Sequence, residues 1–376
     1  MRGLKNIKLK WHILLMIAAV LALSLGAWIN FVQKTGPVLW GQLTGTAEIR
    51  EEEGDPLEGL IQPAIRMVDS EWAVWQEPEL SKIDQTLTYF GTGELSSTQV
   101  IAGKEKWLFY RGVGDGDPIG DFEGTHTYSG QEMEEMAEAV RYVQESAESR
   151  GIRYALMVAP SKENVYPEYM PDNYTHAEKS GTDRLMEFLR EKGINAVSPK
   201  TELLALHESF QLYYYYDTHW NQLGGYVGVR EVLRSWGLDM PELPSRRIAS
   251  RPLKDNYHFC AKDDLAFLAD LRSVLSDEPE YEIEGTAAMD WAAFEAEQEA
   301  YETSHFTNES AVNQAVVLVV GDSFRAAMVP ALREQFRDVY VVSRDAYAPW
   351  LLDDFQPDYL LAEYVERYSS EIVNIY

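Results

Sequence analysis

Cysteine is almost missing from this chain: Cys260 stands alone among 376 residues. An internal disulfide is therefore excluded, and the redox compartment stays open. Neither C-x-x-C nor H-E-x-x-H occurs, which argues against a structural zinc site and against a zincin. His126, His176, His207, His258 and His305 have no spacing that demands an ion, so no metal and no cofactor are expected. Positive charge is scarce as well, with 33 Lys and Arg against 61 Asp and Glu and a formal charge of −28. That balance excludes nucleic acid as a partner, because a phosphate backbone requires a basic surface. Repeats and low-complexity tracts are also lacking. What remains, 45% apolar and 12% aromatic residues, is the composition of a folded chain with an ample core.

Long apolar runs are limited to one, "WHILLMIAAVLALSLGAWINFV" at 11–32. A bilayer core is crossed by roughly 20 helical residues, so this run is long enough to span it. Arg2, Lys5, Lys8 and Lys10 precede it, and Trp11 and Trp28 sit near its ends. Basic residues on the short leading side place that side in the cytoplasm and the rest of the chain outside. A cleaved signal peptide is the rival reading; the run exceeds a usual apolar signal segment and no A-x-A site follows. The expected organisation is a cytoplasmic tail at 1–10, a single-pass anchor at 11–32, a juxtamembrane linker at 33–64 and one exported domain at 65–376.

Within that domain helical and strand patterns alternate. "EMEEMAEAVRYVQESAESRG" repeats its apolar residues at helical spacing and ends at Gly151. "RYALMVAP" at 153–160 reads as a buried strand, "TDRLMEFLREKG" as a helix ending at Gly193, and "INAVSP" as a strand. "QLYYYY" is β-prone, with two of Tyr213 to Tyr216 expected in the core and two on a sugar-stacking surface; "GGYVGVREVLRSWG" returns to helix. "AVVLVV" at 315–320, helix-like "FRAAMVPALREQF", strand-like "DVYVVS" and "PDYLLAEYVER" complete the order. Such alternation predicts an α/β fold, a parallel sheet sandwiched by helices. Residues 251–313 read as an irregular insertion or lid.

Two short words carry chemistry. "GDSF" follows a strand, so Gly321 would permit a tight turn that projects Ser323 at a helix N-terminus, where backbone N–H groups can stabilise an oxyanion. "DTHW" places Asp217 and His219 two residues apart. A serine hydroxyl needs a base, and a histidine base works best when a carboxylate fixes its tautomer. Trp220 would pin the histidine loop. Each word alone has a bland reading, a cap or a structural pair; together they favour a triad. The order Asp, His, Ser separates it from α/β-hydrolases. Lys162, Asn164 and Tyr166 follow a strand end and could reach the same crevice, or form a proline-bounded surface loop. Arg325 would meet an anionic substrate or simply be solvated.

G-D-S at a strand end resembles the nucleophile block of SGNH-type hydrolases, and D-T-H-W resembles the D-x-H block of AlgJ/AlgX-type alginate O-acetyltransferases. The family places its Asp-His block before the serine, as here. "GKEKWLFY", "VAPSKENVYPEYMP", "DDLAFLADL" and "PDYLLAEYVERY" look like further parts of it. The resemblance implies an SGNH-like fold with permuted motif order and acetyl transfer outside the membrane. Ser323 would carry the acetyl group, His219 would act as base and Asp217 would orient it. The implied partners are a polysaccharide acceptor and a membrane-bound O-acyltransferase that supplies acetyl groups. The polymer need not be alginate. An esterase using the same residues, or a non-catalytic envelope scaffold, are the alternatives.

Overall fold

Strands in this protein alternate their side chains between two separate cores, which is why their sequences read as unbroken apolar runs. The computed structural model describes residues 97–375 apart from 113, 253–262, 273, 276–277 and 287, together with Tyr89 and Leu95. The expected anchor at 11–32, the linker at 33–64, His258 and Cys260 lie outside the described residues.

In chain order the strands are β1 (Val100–Ala102), β2 (Leu108–Tyr110), β3 (Arg153–Ala159), β4 (Ala196–Val197), β5 (Ile248–Pro252), β6 (Pro279–Ile283), β7 (Ser304–Thr307), β8 (Asn313–Gly321), β9 (Phe336–Ser343) and β10 (Tyr359–Val365). Six of them form the central sheet in the order β4-β3-β10-β8-β9-β7. On β8, Val317 and Val319 enter one core, shared with the helix Gln222–Ser235 and the helix Val329–Gln335. Leu318 and Val320 enter the other, with the helices Gly130–Glu148 and Gly181–Glu191. Capping boxes at Ser129 and Ser180 start the last two helices. Gly151 and Gly193, with φ of +77° and +80°, lie just past their ends.

Three expectations need correction. The sheet is mixed rather than all parallel: β3, β4, β8, β9 and β10 run parallel, but β7 pairs antiparallel with β9. This edge strand, "SHFT", is short and half polar, so its pattern is faint. Cross-strand contacts fix it, with His305 stacked 4.1 Å from Tyr340 and Thr307 bonded to Asp338. β7 also lies within 251–313, as do β6, the last two residues of β5 and the helices Asp264–Leu268 and Trp291–Glu299, so the described part of that segment is structured and partly built into the sheet.

The second correction concerns the tyrosines. Residues 211–219 form no strand; a single bridge, Tyr213 to Trp220, is all the ladder they have. Tyr213, Tyr214 and Tyr216 are fully buried and only Tyr215 is partly exposed. Backbone carbonyls in a buried loop still need partners, and here one side chain supplies several of them. Lys162 Nζ donates to the carbonyls of Tyr214, Tyr215 and Asp217 at 3.1, 3.2 and 2.7 Å. Third, the stretch after Ser323 is not one helix. A 3-10 helix, Ser323–Met328, gives way to Val329–Gln335, with Pro330 in the first turn of the second.

Candidate active site

Ser323 sits immediately beyond the carboxyl end of β8, where open parallel sheets gather their ligand sites. Gly321 is needed there for a reason other than the expected turn. Its φ is not left-handed; instead a Cβ would fall 2.5 Å from Glu363 Oε2 and 3.0 Å from the Glu363 carbonyl on β10. Close approach of two strands, rather than backbone freedom, requires the glycine. Asp322 then fixes the turn, accepting the Phe324 amide at 3.0 Å and the Val365 amide at 2.7 Å.

The histidine loop meets this turn. His219 Nε2 lies 2.6 Å from Ser323 Oγ, and His219 Nδ1 lies 2.6 Å from Asp217 Oδ1. Residues 104 positions apart are thus joined in one hydrogen-bonded line from carboxylate through imidazole to hydroxyl. Asp217 is buried and also accepts the amides of His219 at 2.8 Å and Asp264 at 3.1 Å. Burial by itself would raise its carboxyl, but the His219 charge and these N–H donors outweigh that and hold it below the usual range. For His219 burial opposes the imidazolium, whereas Asp217 and then Asp264 favour it more strongly, and its pKa rises above 6.5. A base with such a pKa, hydrogen-bonded to a hydroxyl, is what proton abstraction from serine requires.

Sequence reading missed Asp264. Its carboxylate accepts both the Thr218 amide at 2.7 Å and the Thr218 hydroxyl at 2.6 Å, and its amide steadies Asp217. Burial and the neighbouring Asp217 raise its own pKa. Asp217, His219 and Asp264 present three ligand atoms within 4.8 Å, near enough to share a cation, although the carboxylates already take the N–H donors just described. Asp264 stands 47 residues from Asp217, and only the resemblance of "DDLAFLADL" hinted at it.

The remaining candidates sort themselves by burial. Trp220 is fully buried and donates Nε1–H to the Phe324 carbonyl at 2.8 Å, so it does pin the loop. Lys162 is buried with its Nζ spent on three carbonyls, and burial lowers its pKa to about 8. Asn164 donates to Glu366 at 2.8 Å, and Tyr166 donates to the Phe210 carbonyl while accepting the Leu212 amide. Neither a crevice contact nor a surface loop describes these three, because packing turns their side chains inward. Arg325 is likewise buried, donating to the carbonyls of Gly321 and Asp322 and to Gln298 Oε1. It braces the serine turn rather than facing solvent.

Beside Ser323 opens a cavity of about 380 Å³, while on the Thr218 side the wall of Tyr110, Ser161, Glu163 and Arg367 leaves about 10 Å³. Residues 100–354 match the family described as SGNH hydrolase-like domain, acetyltransferase AlgX. The chain belongs to that family. Both D-T-H-W and G-D-S-F fall within the matched residues, and the AlgJ/AlgX-like resemblance is borne out. A Pseudomonas aeruginosa protein named "Probable alginate O-acetylase AlgJ" is 26% identical over 210 residues, 54% of this chain and 46% of that protein. A protein of the same name from Pseudomonas syringae pv. tomato is 24% identical over 136 residues, 35% of this chain and 32% of that one. The chain spans less than half the length of these relatives. Among solved structures, Bacillus cereus PatB1 is similar with a TM-score of 0.49 at 15% identity, covering 72% of this chain and 96% of that one. The O-acetyltransferase domain of Pseudomonas putida AlgJ has a TM-score of 0.44 at 17% identity, covering 72% and 92%.

Proposed function

We propose that this family member is an O-acetyltransferase that moves an acetyl group through Ser323 to a hydroxyl of a cell-envelope or secreted polysaccharide. One observation carries the reading: His219 Nε2 stands 2.6 Å from Ser323 Oγ with Asp217 on its other ring nitrogen. In the first half-reaction His219 takes the serine proton as Oγ attacks the acetyl carbonyl of the donor, and the donor's leaving group departs with that proton. In the second, His219 takes the proton of a sugar hydroxyl. Its oxygen bonds to the acetyl carbon, the bond to Ser323 Oγ breaks, and the proton returns to the serine. The Ser323 amide, with a further donor, steadies the tetrahedral oxyanion in both halves. Asp217 holds the ring and favours its charged form.

The alginate O-acetylase names of the relatives support polysaccharide acetylation as the class of reaction. The basic tail and apolar run at 2–32 support a single-pass anchor, a catalytic domain outside the cytoplasm and a membrane-bound acyltransferase as donor partner. The test uses the full chain with p-nitrophenyl acetate. A burst of p-nitrophenol that disappears in Ser323→Ala supports the acyl-enzyme, and acetyl groups gained by an added glycan support the transferase. Free acetate alone, with every acceptor tried, makes the protein an esterase.

A further inference from the structure

We propose that the cavity beside Ser323 is the acceptor subsite, that Tyr301 is the aromatic face on which a sugar ring stacks, and that this sugar carries no carboxylate. The inference rests on the acyl-transfer reading and adds the class of substrate to it. Size restricts the choice first. The space on the Thr218 side, about 10 Å³, holds no more than a water, whereas about 380 Å³ beside Ser323 is within the range of small-molecule sites.

Tyr301 lines that larger cavity and is 62% exposed, a large ring left bare next to the nucleophile. It follows the helix Trp291–Glu299 with φ of +57°, a left-handed conformation that bulky residues rarely hold. Strain of this kind persists only where neighbours impose it, and Gln298 does so. The Tyr301 amide donates to the Gln298 carbonyl at 3.2 Å. The Gln298 amide group donates to the Glu302 carbonyl at 3.2 Å and to Ser304 Oγ at 2.9 Å, and its oxygen accepts from Arg325, two residues past Ser323. A single polar side chain thereby sets the position of the Tyr301 backbone against that of the nucleophile. An amphipathic ring with a dry face and a polar rim suits the apolar face of a pyranose.

Charge then selects the sugar. Glu299, Asp322 and Asp345 put three carboxylates on the wall against the guanidinium groups of Arg325 and Arg344. Both guanidiniums are in use: Arg325 on carbonyls and Gln298, Arg344 on Glu371 at 2.8 Å, beside Asp345 at 4.0 Å and over the Tyr368 ring at 4.6 Å. A uronate entering here would add a fourth carboxylate to a chain of net charge −28, and like charges at short range repel.

Full-length enzyme acetylated with p-nitrophenyl acetate should be offered neutral pentasaccharides of β-1,4-glucose, β-1,4-mannose and β-1,4-N-acetylglucosamine, and an oligogalacturonate of equal length. Transfer to a neutral member at a kcat/KM at least tenfold above the uronate is expected. Tyr301→Ala should raise the acceptor KM by about tenfold with a smaller change in kcat, and Tyr301→Phe, which keeps the ring, should restore it. Preference for the uronate, or a Tyr301→Ala KM within twofold of wild type, overturns the proposal while acyl transfer stands. Absence of transfer by the wild type to every acceptor overturns both.

Discussion

Trp220 and Phe324 are joined by a hydrogen bond of 2.8 Å from indole Nε1–H to main-chain carbonyl. Each is the residue immediately after a reacting side chain, so the bond ties the His219 loop to the Ser323 turn where alignment matters. Trp220→Phe keeps an aromatic ring in the buried slot and removes the donor, together with part of the indole volume packed against Gly228. Loss of such a bond costs about 1 kcal/mol of stability, and a shift of ~1 Å at a reacting pair costs up to about 100-fold in rate. The variant should remain folded, with a kcat for p-nitrophenyl acetate lowered by about tenfold or more. Wild-type kcat in a folded Trp220→Phe protein would mean that the tie does not position the pair.

The pH profile follows from His219. Its pKa is raised in the folded protein because Asp217 and Asp264 outweigh burial. Only the neutral imidazole can take the serine proton, so activity is present above that pKa and is lost as pH falls through it. The acid limb of the rate profile should therefore lie above 6.5, the ordinary histidine value. Asp217→Asn removes the largest favourable charge, and the limb should move to lower pH as the maximal rate falls by orders of magnitude. Burst kinetics from pH 5 to 9 measure both; a limb at or below 6.5 in the wild type contradicts the assignment.

Lys162 illustrates a limit of the sequence. As a lysine after a strand end it reads as a crevice or surface-loop residue, yet it is a buried post for the carbonyls of Tyr214, Tyr215 and Asp217. Lys162→Met keeps the length and apolar stem and removes the ammonium donor from all three carbonyls, although that of Tyr215 still accepts the Leu108 amide at 3.0 Å. At about 1–3 kcal/mol for a buried group that loses its hydrogen bond, the denaturation midpoint should fall by the equivalent of about 2 kcal/mol or more. Activity should fall in the same variant because the Asp217 backbone is released. A midpoint equal to wild type would show that the loop stands without its post.

What the sequence made legible was local. "DTHW" and "GDSF" are four-residue words whose backbone setting is encoded on the spot: Asp217 accepts the amide two residues on, and Asp322 caps its own turn. The long apolar strands and glycine-ended helices were legible for the same reason. Contacts made across more than 25 positions were not. Asp264 on Thr218, Gln298 on Arg325 and Glu366 on Ser161 leave no periodic trace in the chain. The tyrosine run misled because β propensity describes a half-buried surface, whereas here a side-chain amine replaces the neighbouring strand. Direction was hidden as well. Arg325 and Tyr166 turn inward because of partners that only the fold supplies.

Glu363 offers a test of the sheet beneath the site. It lies on β10 beside Gly321, fully buried, and neither carboxyl oxygen has a hydrogen-bond partner. Burial first, then the nearby Asp322 charge, push its pKa well above 4.5, so it keeps its proton to higher pH in the folded state than in the unfolded one. An unfolded chain ionises the same group near its ordinary value. The stability this carboxyl contributes is therefore complete below about pH 4.3 and erodes as pH rises toward its folded pKa, because the unfolded state gains by releasing a proton that the folded state keeps. Glu363→Gln, an uncharged group of the same shape, removes that slope. Urea midpoints of the variant should exceed those of wild type increasingly between pH 5 and 8, with little difference at pH 4. A constant difference across that range, or a variant losing stability in parallel with wild type, would mean that Glu363 is ionised in the fold and that β8 and β10 tolerate a charge between them.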